Sequence, residues 1–474
     1  MPDRAFPRLP TRFDSAPNDS NRIVASRFRA PSHVSPSRDP IVISGVGIAA
    51  SLGGDRESVW RAIQRGDSGV RLTRESDRVG KLRLPCAMAD CLPEEGDNPS
   101  SLKSIRLCRR AAAEALDDAD IDWRVIDRGR FACSVAAQFG DIGYLYLTPE
   151  ERAAQPEQLA QAWHREFLPS SISDTVAGEF GLHGPRLCYA TACASGVVSL
   201  LAAARMIEED QADMALAGAA DAVTEIILTS FYRMGVLAQG EDPATSCRPF
   251  DRRRAGFVMG EGAALMVLER RSHALARGAR IYAEIAAGQM LCQAHHVTSL
   301  EDDSATLDQL IRRTVAKAGW KGLGPQYINA HGTGTKQNDL SELRAIRSAL
   351  GPQADDVVAS SNKAVLGHLI NAAGSIELAL TTLAIRDGFA PPTMHLEDQE
   401  SDGEIDCLAE YGVEGPIDRA LKLSQAFGGH LVAVALDAPK QASSARMPVP
   451  LVAGARVRSR QAVARPLQVH ARSA

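Results

Sequence analysis

Apolar and polar positions follow two periods along the chain, and the switches between them mark out its elements. Ile41 to Ser44 is a short apolar run ending in Gly45-Val-Gly47, and a helical pattern containing Trp60 to Ile63 follows it. Residues 104–118 are alanine-rich with helical spacing, and Phe131 to Ala136 reads as a strand. Leu187 to Ala192 leads into Cys193, after which Val197 to Glu209 continues as a strongly apolar helix. Residues 213–219 and 263–268 are again apolar runs of strand length. A second set follows. Its strand runs are Ile281 to Ala286, Tyr327 to Ala330, Val357 to Ser360 and Leu431 to Leu436. Its helical runs are Ala305 to Ala318, Leu340 to Leu350 and Asn371 to Arg386.

Strands separated by helical stretches of this length predict an α/β fold with mostly parallel strands. Their nearly continuous apolar character predicts a sheet covered by helices on both faces. The similar size of the two sets predicts a duplication, with one half at 40–275 and the other at 276–437. The segments outside these halves have no apolar periodicity. Residues 1–39, with six prolines, and residues 438–474 are therefore expected to be disordered tails.

Charge and composition narrow the function classes. The chain has 474 residues and a formal net charge of −5. Residues 1–39 carry +3 and residues 440–474 carry +7, which leaves −15 on the stretch between them. An acidic body with basic ends does not read as a nucleic-acid module. No apolar run approaches the ~20 residues of a membrane span, so none is expected. Nine cysteines lie at scattered spacings with no CxxC pair, which suggests neither a metal site nor a disulfide framework. A reducing cytoplasm fits that usage.

Four local features carry chemistry. In Ala190-Thr-Ala-Cys-Ala-Ser-Gly196, an extended run feeds Cys193 and small residues lead into a helix, as in a nucleophile elbow. At a helix N-terminus Cys193 is expected to favour its thiolate. In Asn329-Ala-His-Gly-Thr-Gly-Thr335 a strand ends directly at His331, a residue suited to proton transfer or to stabilising an oxyanion. Asp339 and Glu342 follow at a helix start, where carboxylates cap the helix or orient a base. The third feature, Ser360-Ser-Asn-Lys-Ala-Val-Leu-Gly-His368, sets Lys363 and His368 among small and apolar residues. The fourth is Phe427-Gly428-Gly429 before the last strand, where glycines permit unusual backbone angles and Phe427 either gates a cavity or packs.

Taken together, Cys193 in TACASG, His331 in NAHGTGT, and Lys363 with His368 in NKAVLGH resemble the Cys-His-His set of elongating β-ketoacyl-acyl-carrier-protein synthases. Ile41 to Gly47, Arg248-Pro-Phe-Asp251 and Gly256-Phe-Val-Met-Gly-Glu-Gly262 match as well, and the similarity runs over about residues 40–437. The resemblance implies a thiolase-like, duplicated five-layer αβαβα sandwich, usually a homodimer. It implies decarboxylative condensation of an acyl thioester with a malonyl thioester, both carried on acyl carrier protein, in fatty acid or related lipid or polyketide synthesis. Cys193 would hold the acyl chain, and its backbone N–H with that of Phe427 would form an oxyanion hole. His331 and His368 would stabilise the enolate, with Lys363 and Glu342 in support. Thr333 and Thr335 would contact the pantetheine arm. No cofactor or metal is implied.

The helix with Lys103, Arg106, Arg109 and Arg110 is the candidate docking patch for an acidic carrier protein. Some stretches depart from the family. Ala426 replaces a glycine and His430-Leu431 replaces Thr-Asn in the late loop. Gln138 and Phe139 stand where a glycine-rich stretch lines the acyl pocket, and the segment Val176 to Gly184 is about one turn short. The rival readings are a non-catalytic chain-length-factor-like subunit, which would lack the nucleophile, and a non-condensing acyltransferase or decarboxylase of the same fold. Thiolases and initiating synthases pair their cysteine with other partners.

Overall fold

A computed structural model describes residues 39–73, 83–92, 102–138, 140, 166–239, 242–301, 303–400, 405–440 and, for the backbone, 455–458. Ten strands form its main sheet. They are β1 (Ile41–Ala50), β2 (Phe131–Ala136), β3 (Arg186–Leu187), β4 (Met214–Asp221), β5 (Gly262–Arg270), β6 (Ala283–Cys292), β7 (Tyr327–Asn329), β8 (Val358–Ser360), β9 (Arg419–Ala426) and β10 (His430–Asp437). The strand order is β8-β7-β9-β10-β6-β1-β5-β4-β2-β3.

That order contains one motif twice. Counted within each set of five, both read third, second, fourth, fifth, first. In each set the second strand runs parallel to the third and fourth, and the remaining pairs are antiparallel. The sets join where β1 meets β6, with Val42 opposite Glu284 and Ile43 opposite Ala283.

The longer helices among the described residues are α1 (Arg56–Arg65), α2 (Lys103–Asp118), α3 (Ser171–Phe180), α4 (Ser195–Glu208), α5 (Glu225–Arg233), α6 (Ala305–Ala318), α7 (Lys336–Leu350) and α8 (Ala373–Asp387). The strand period of two sorts side chains between faces. In β4, Met214 and Leu216 enter a core with Ile105, Cys108 and Ala112 of α2. Ala215, Ala217 and Ala219 face the opposite way, into a core with Val197 and Leu200 of α4 and Ile376 and Leu380 of α8. A third core joins Leu421 and Leu423 of β9 to Leu307 and Leu310 of α6 and Leu343 and Ile346 of α7. Three cores between successive layers make the expected αβαβα sandwich, with α4 and α8 in the middle.

Several elements depart from the sequence reading. Strand β1 does not stop at Gly45-Val-Gly47 but continues to Ala50 through a bulge between Ile43 and Gly45. Those glycines are there for close packing: a Cβ on Gly47 would lie 2.0 Å from the Ala111 carbonyl oxygen of α2. The extended run before Cys193 is a strand only at Arg186–Leu187. Helices α3 and α5 and strand β9 were not anticipated; Arg419, Lys422 and Gln425 mask the apolar alternation of β9. Within the segment expected to be a disordered tail, Ala455–Arg458 pairs antiparallel with Tyr411–Glu414. The strand Tyr411–Glu414 pairs on its other side with Phe389–Ala390, so its second edge had ladder groups to offer.

Candidate active site

Cys193 sits in a tight turn between β3 and α4, and the local sequence explains how. Ala192 adopts φ 47°, a left-handed conformation that costs an alanine roughly 1–2 kcal/mol. The turn is laced by Ser195, whose Oγ accepts from Thr191 N–H at 2.8 Å and donates to the Ala192 carbonyl at 2.6 Å. Small residues let α8 approach: a Cβ on Gly374 would meet Val197 at 2.5 Å. The expected preference for thiolate is not what the closed site produces. Burial pushes the Cys193 thiol up to about 12, and the Lys363 ammonium and the local backbone N–H only partly counter it.

His331 leaves the end of β7 on a loop held from both sides. Glu342 on α7, fully buried, accepts from the N–H groups of His331 at 2.7 Å and Gly332 at 2.8 Å. Asp339 accepts from Phe250 N–H at 2.7 Å and Gly334 N–H at 3.1 Å. The two acids are therefore not mere helix-start charges; they fix the backbone that carries the histidine. Thr333 and Thr335 hydroxyls lie 2.9 Å apart on the same loop.

The partners of the two histidines assign their tautomers. His368 Nδ1 accepts from Ile370 N–H at 3.0 Å. His331 Nδ1 lies 3.4 Å from Lys363 Nζ, a group that can only donate. Each ring therefore carries its proton on Nε2. Burial first, then the Lys363 charge, hold both imidazoles well below the usual histidine range, so both are neutral near pH 7. The rings meet edge to face with centroids 5.5 Å apart.

Cys193, His331, His368, Thr333, Thr335 and Phe427 line one cavity of about 150 Å³. Phe427 stacks on Phe231 at 6.3 Å, and Phe257 packs against His368 at 5.1 Å. Gly428 and Gly429 have φ 83° and 77°. Their N–H groups donate to Val297 and Ala426 carbonyls, so neither is a donor for a bound oxyanion.

This geometry has known counterparts. Residues 38–274 match the family described as Beta-ketoacyl synthase, N-terminal domain, and residues 282–397 match its C-terminal domain. The ketoacyl synthase alpha subunit of the tetracenomycin polyketide synthase from Streptomyces glaucescens is 33% identical, over 85% of this chain and 98% of its own. The 3-oxoacyl-[acyl-carrier-protein] synthase 2 of Vibrio harveyi is 32% identical, over 83% of this chain and 97% of its own. The chain belongs to the β-ketoacyl synthase family.

It is thus a condensing enzyme of the acyltransferase class with the thiolase-like fold. Among solved structures, a type II polyketide ketosynthase in complex with its acyl-carrier protein superposes with TM-score 0.75 at 29% identity. That likeness covers 85% of this chain and 100% of the other. The ishigamide ketosynthase/chain length factor gives 0.77 at 28% identity, over 85% and 100%.

Three of the four basic residues read as a docking patch on α2 have partners within the chain. Lys103 pairs with buried Glu261, Arg109 forks onto Glu179, and Arg110 donates to the Gly54 carbonyl. Helical spacing placed them on α2 but could not reveal acids supplied by other elements. Gln138, half-buried after β2, does not line the Cys193 cavity, and Phe139 lies outside the described residues. The sequence reading missed Glu377, which pairs with Lys363, and Lys422, which pairs with Glu377 in turn. A lysine and a glutamate inside apolar strand and helix patterns were the available signal. Among the described residues no helix is long and apolar enough to cross a membrane, and no cluster could hold a metal ion.

Proposed function

We propose that the chain condenses an acyl thioester with a malonyl thioester, both delivered on acyl carrier protein, to give a 3-oxoacyl thioester and CO₂. One observation carries this reading: Cys193 shares a cavity with two neutral histidines whose Nε2 atoms bear the protons. Cys193 attacks the acyl thioester, its thiol proton passing to the leaving pantetheine thiolate, and keeps the chain as a thioester. The N–H groups of Cys193 and Phe427 would hold the developing oxyanion. Malonyl thioester then enters along Thr333 and Thr335. Loss of CO₂ places negative charge on its thioester oxygen, and the Nε2–H groups of His331 and His368 would stabilise that enolate. Its carbon attacks the acyl-Cys193 carbonyl. The tetrahedral adduct collapses, the Cys193 thiolate leaves and takes up a proton, and the 3-oxoacyl product departs. Two neutral donors suit this step, because an imidazolium would instead protonate the carbanion.

The relatives belong to both fatty acid and polyketide synthesis, and either pathway would use this chemistry. The family's usual homodimer is the proposed assembly. The test supplies acylated carrier protein and then malonyl carrier protein and follows masses. An adduct on Cys193 followed by a product two carbons longer, bearing a 3-oxo group, is expected. Absence of the adduct refutes the nucleophile. An adduct with no elongated product makes the chain a non-condensing acyltransferase.

A further inference from the structure

A buried ion cluster lies beneath His331. Glu377 on α8 meets two ammonium groups, Lys363 at Oε1 and Lys422 at Oε2, the latter 2.7 Å away. Lys422 is a β9 residue with 0% exposure. Its Nζ also donates to the carbonyls of Ala330, at 3.2 Å, and Leu423. Lys363 donates to the next carbonyl of the loop, that of His331, at 2.6 Å. Consecutive carbonyls leading into the catalytic loop are thus each held by a lysine.

The charges do not cancel. One lysine suffices to neutralise Glu377; a second buried ammonium is unfavourable in itself and leaves one positive charge in the cluster. The other acids facing the loop are Asp339 and Glu342 on α7. Asp339 pairs with Arg254 at 3.7 Å, and burial pushes the Glu342 carboxyl up to about 7, so Glu342 offsets that charge incompletely near neutrality.

We propose that Lys422 is a positioning residue of the condensing site: by sharing Glu377 with Lys363 it leaves a positive charge beneath His331 and His368 that keeps both rings neutral and favours the enolate. This rests on the condensing reading above. The charged and titratable groups around His331 are Lys363, Lys422, Glu377, Glu342, Asp339 with its partner Arg254, Tyr327 and His368, with Cys193 and Asp221 across the cavity. Of these, Lys363, His368 and Lys422 each hold the His331 imidazole down, after burial. Lys422 itself is lowered to about 8, chiefly by burial, so its charge is present at pH 7 and lost above about 8.

The test compares the full chain with Lys422→Gln, Lys422→Met and Glu377→Gln. Malonyl-carrier decarboxylation is followed against pH, and acylation of Cys193 is followed by mass. Both Lys422 variants are expected to slow decarboxylation roughly 10- to 100-fold, far more than acylation, as loss of a preorganised charge does. They should also move the acid limb of the profile to higher pH. Glu377→Gln, which adds a positive charge, should move that limb to lower pH. Opposite shifts do not arise from a common packing defect. A Lys422→Gln enzyme with the wild-type rate and profile would overturn the proposal, as would shifts of one sign in all variants. Should those variants not fold, Lys422→Arg, which keeps the charge beside Glu377, is the second test: decarboxylation and an acid limb near wild type support the proposal, and their loss in a folded Lys422→Arg enzyme overturns it. Wild-type enzyme that condenses with unmoved limbs in the variants defeats only the Lys422 proposal. Wild-type enzyme that acylates but yields no 3-oxo product defeats the condensing reading.

Discussion

The two ring nitrogens of His368 do different jobs, and substitutions separate them. Nδ1 accepts from Ile370 N–H at 3.0 Å, which leaves the proton on Nε2, the donor to the enolate in the proposed reaction. Asn places an oxygen near the Nδ1 position, and Gln places an amide N–H near the Nε2 position. His368→Asn should therefore keep the Ile370 bond but lose the donor. Losing one such donor costs ~10²–10³ in rate, or about 3–4 kcal/mol of transition-state stabilisation. His368→Gln should keep decarboxylation within about tenfold of wild type, since a donor remains. It leaves Ile370 N–H, a buried group on a residue with φ 45°, without its acceptor. An unsatisfied buried N–H costs roughly 1–3 kcal/mol of stability. The assays are decarboxylation of malonyl carrier protein and thermal unfolding, with Cys193 acylation as the control. His368→Asn with near wild-type decarboxylation would refute the tautomer assignment. So would His368→Gln with full stability and no decarboxylation.

Further outcomes follow from the same contacts. Glu342 rises from 4.5 to about 7 on folding, so the stability it contributes is complete below about 4.5 and lost as pH rises through about 7. That window corresponds to roughly 3 kcal/mol at 1.4 kcal/mol per pH unit, and Glu342→Gln should flatten it in melts at pH 5 and pH 8. Gly47→Ala would drive a Cβ into the Ala111 carbonyl 2.0 Å away. It should lower stability by about 1–3 kcal/mol or more, and wild-type unfolding would refute the close α2 contact. Gly428→Ala must hold φ 83°, so a loss of about 1–2 kcal/mol is expected; an unchanged melting curve would deny the left-handed turn.

Much of this protein is local in the sequence. Helix Ala305–Ala318 and strand Phe131–Ala136 fall where apolar periodicity put them, because each buries a single face or both faces of its own segment. The motifs around Cys193, His331 and His368 identify their own turns, since small residues and glycines are what such turns require. From the sequence, Gly45 and Gly47 look like punctuation and end the expected strand at Ser44, short of the observed Ala50. Only the presence of α2 against them turns them into packing residues.

The sequence by itself determined the α/β class and the local turns that carry Cys193, His331 and His368, because short-range spacing encodes those features. Tertiary structure alone decided the electrostatics. Lys422 and Glu377 lie 45 residues apart and meet only because β9 packs against α8. Cys193 is a thiol rather than a thiolate because burial outweighs its position at a helix start. Lys103 and Arg109 of α2 look available in sequence and are paired in the fold, because Glu261 and Glu179 arrive from distant parts of the chain. Charge acts through space and solvent exclusion, neither of which has a period along the chain.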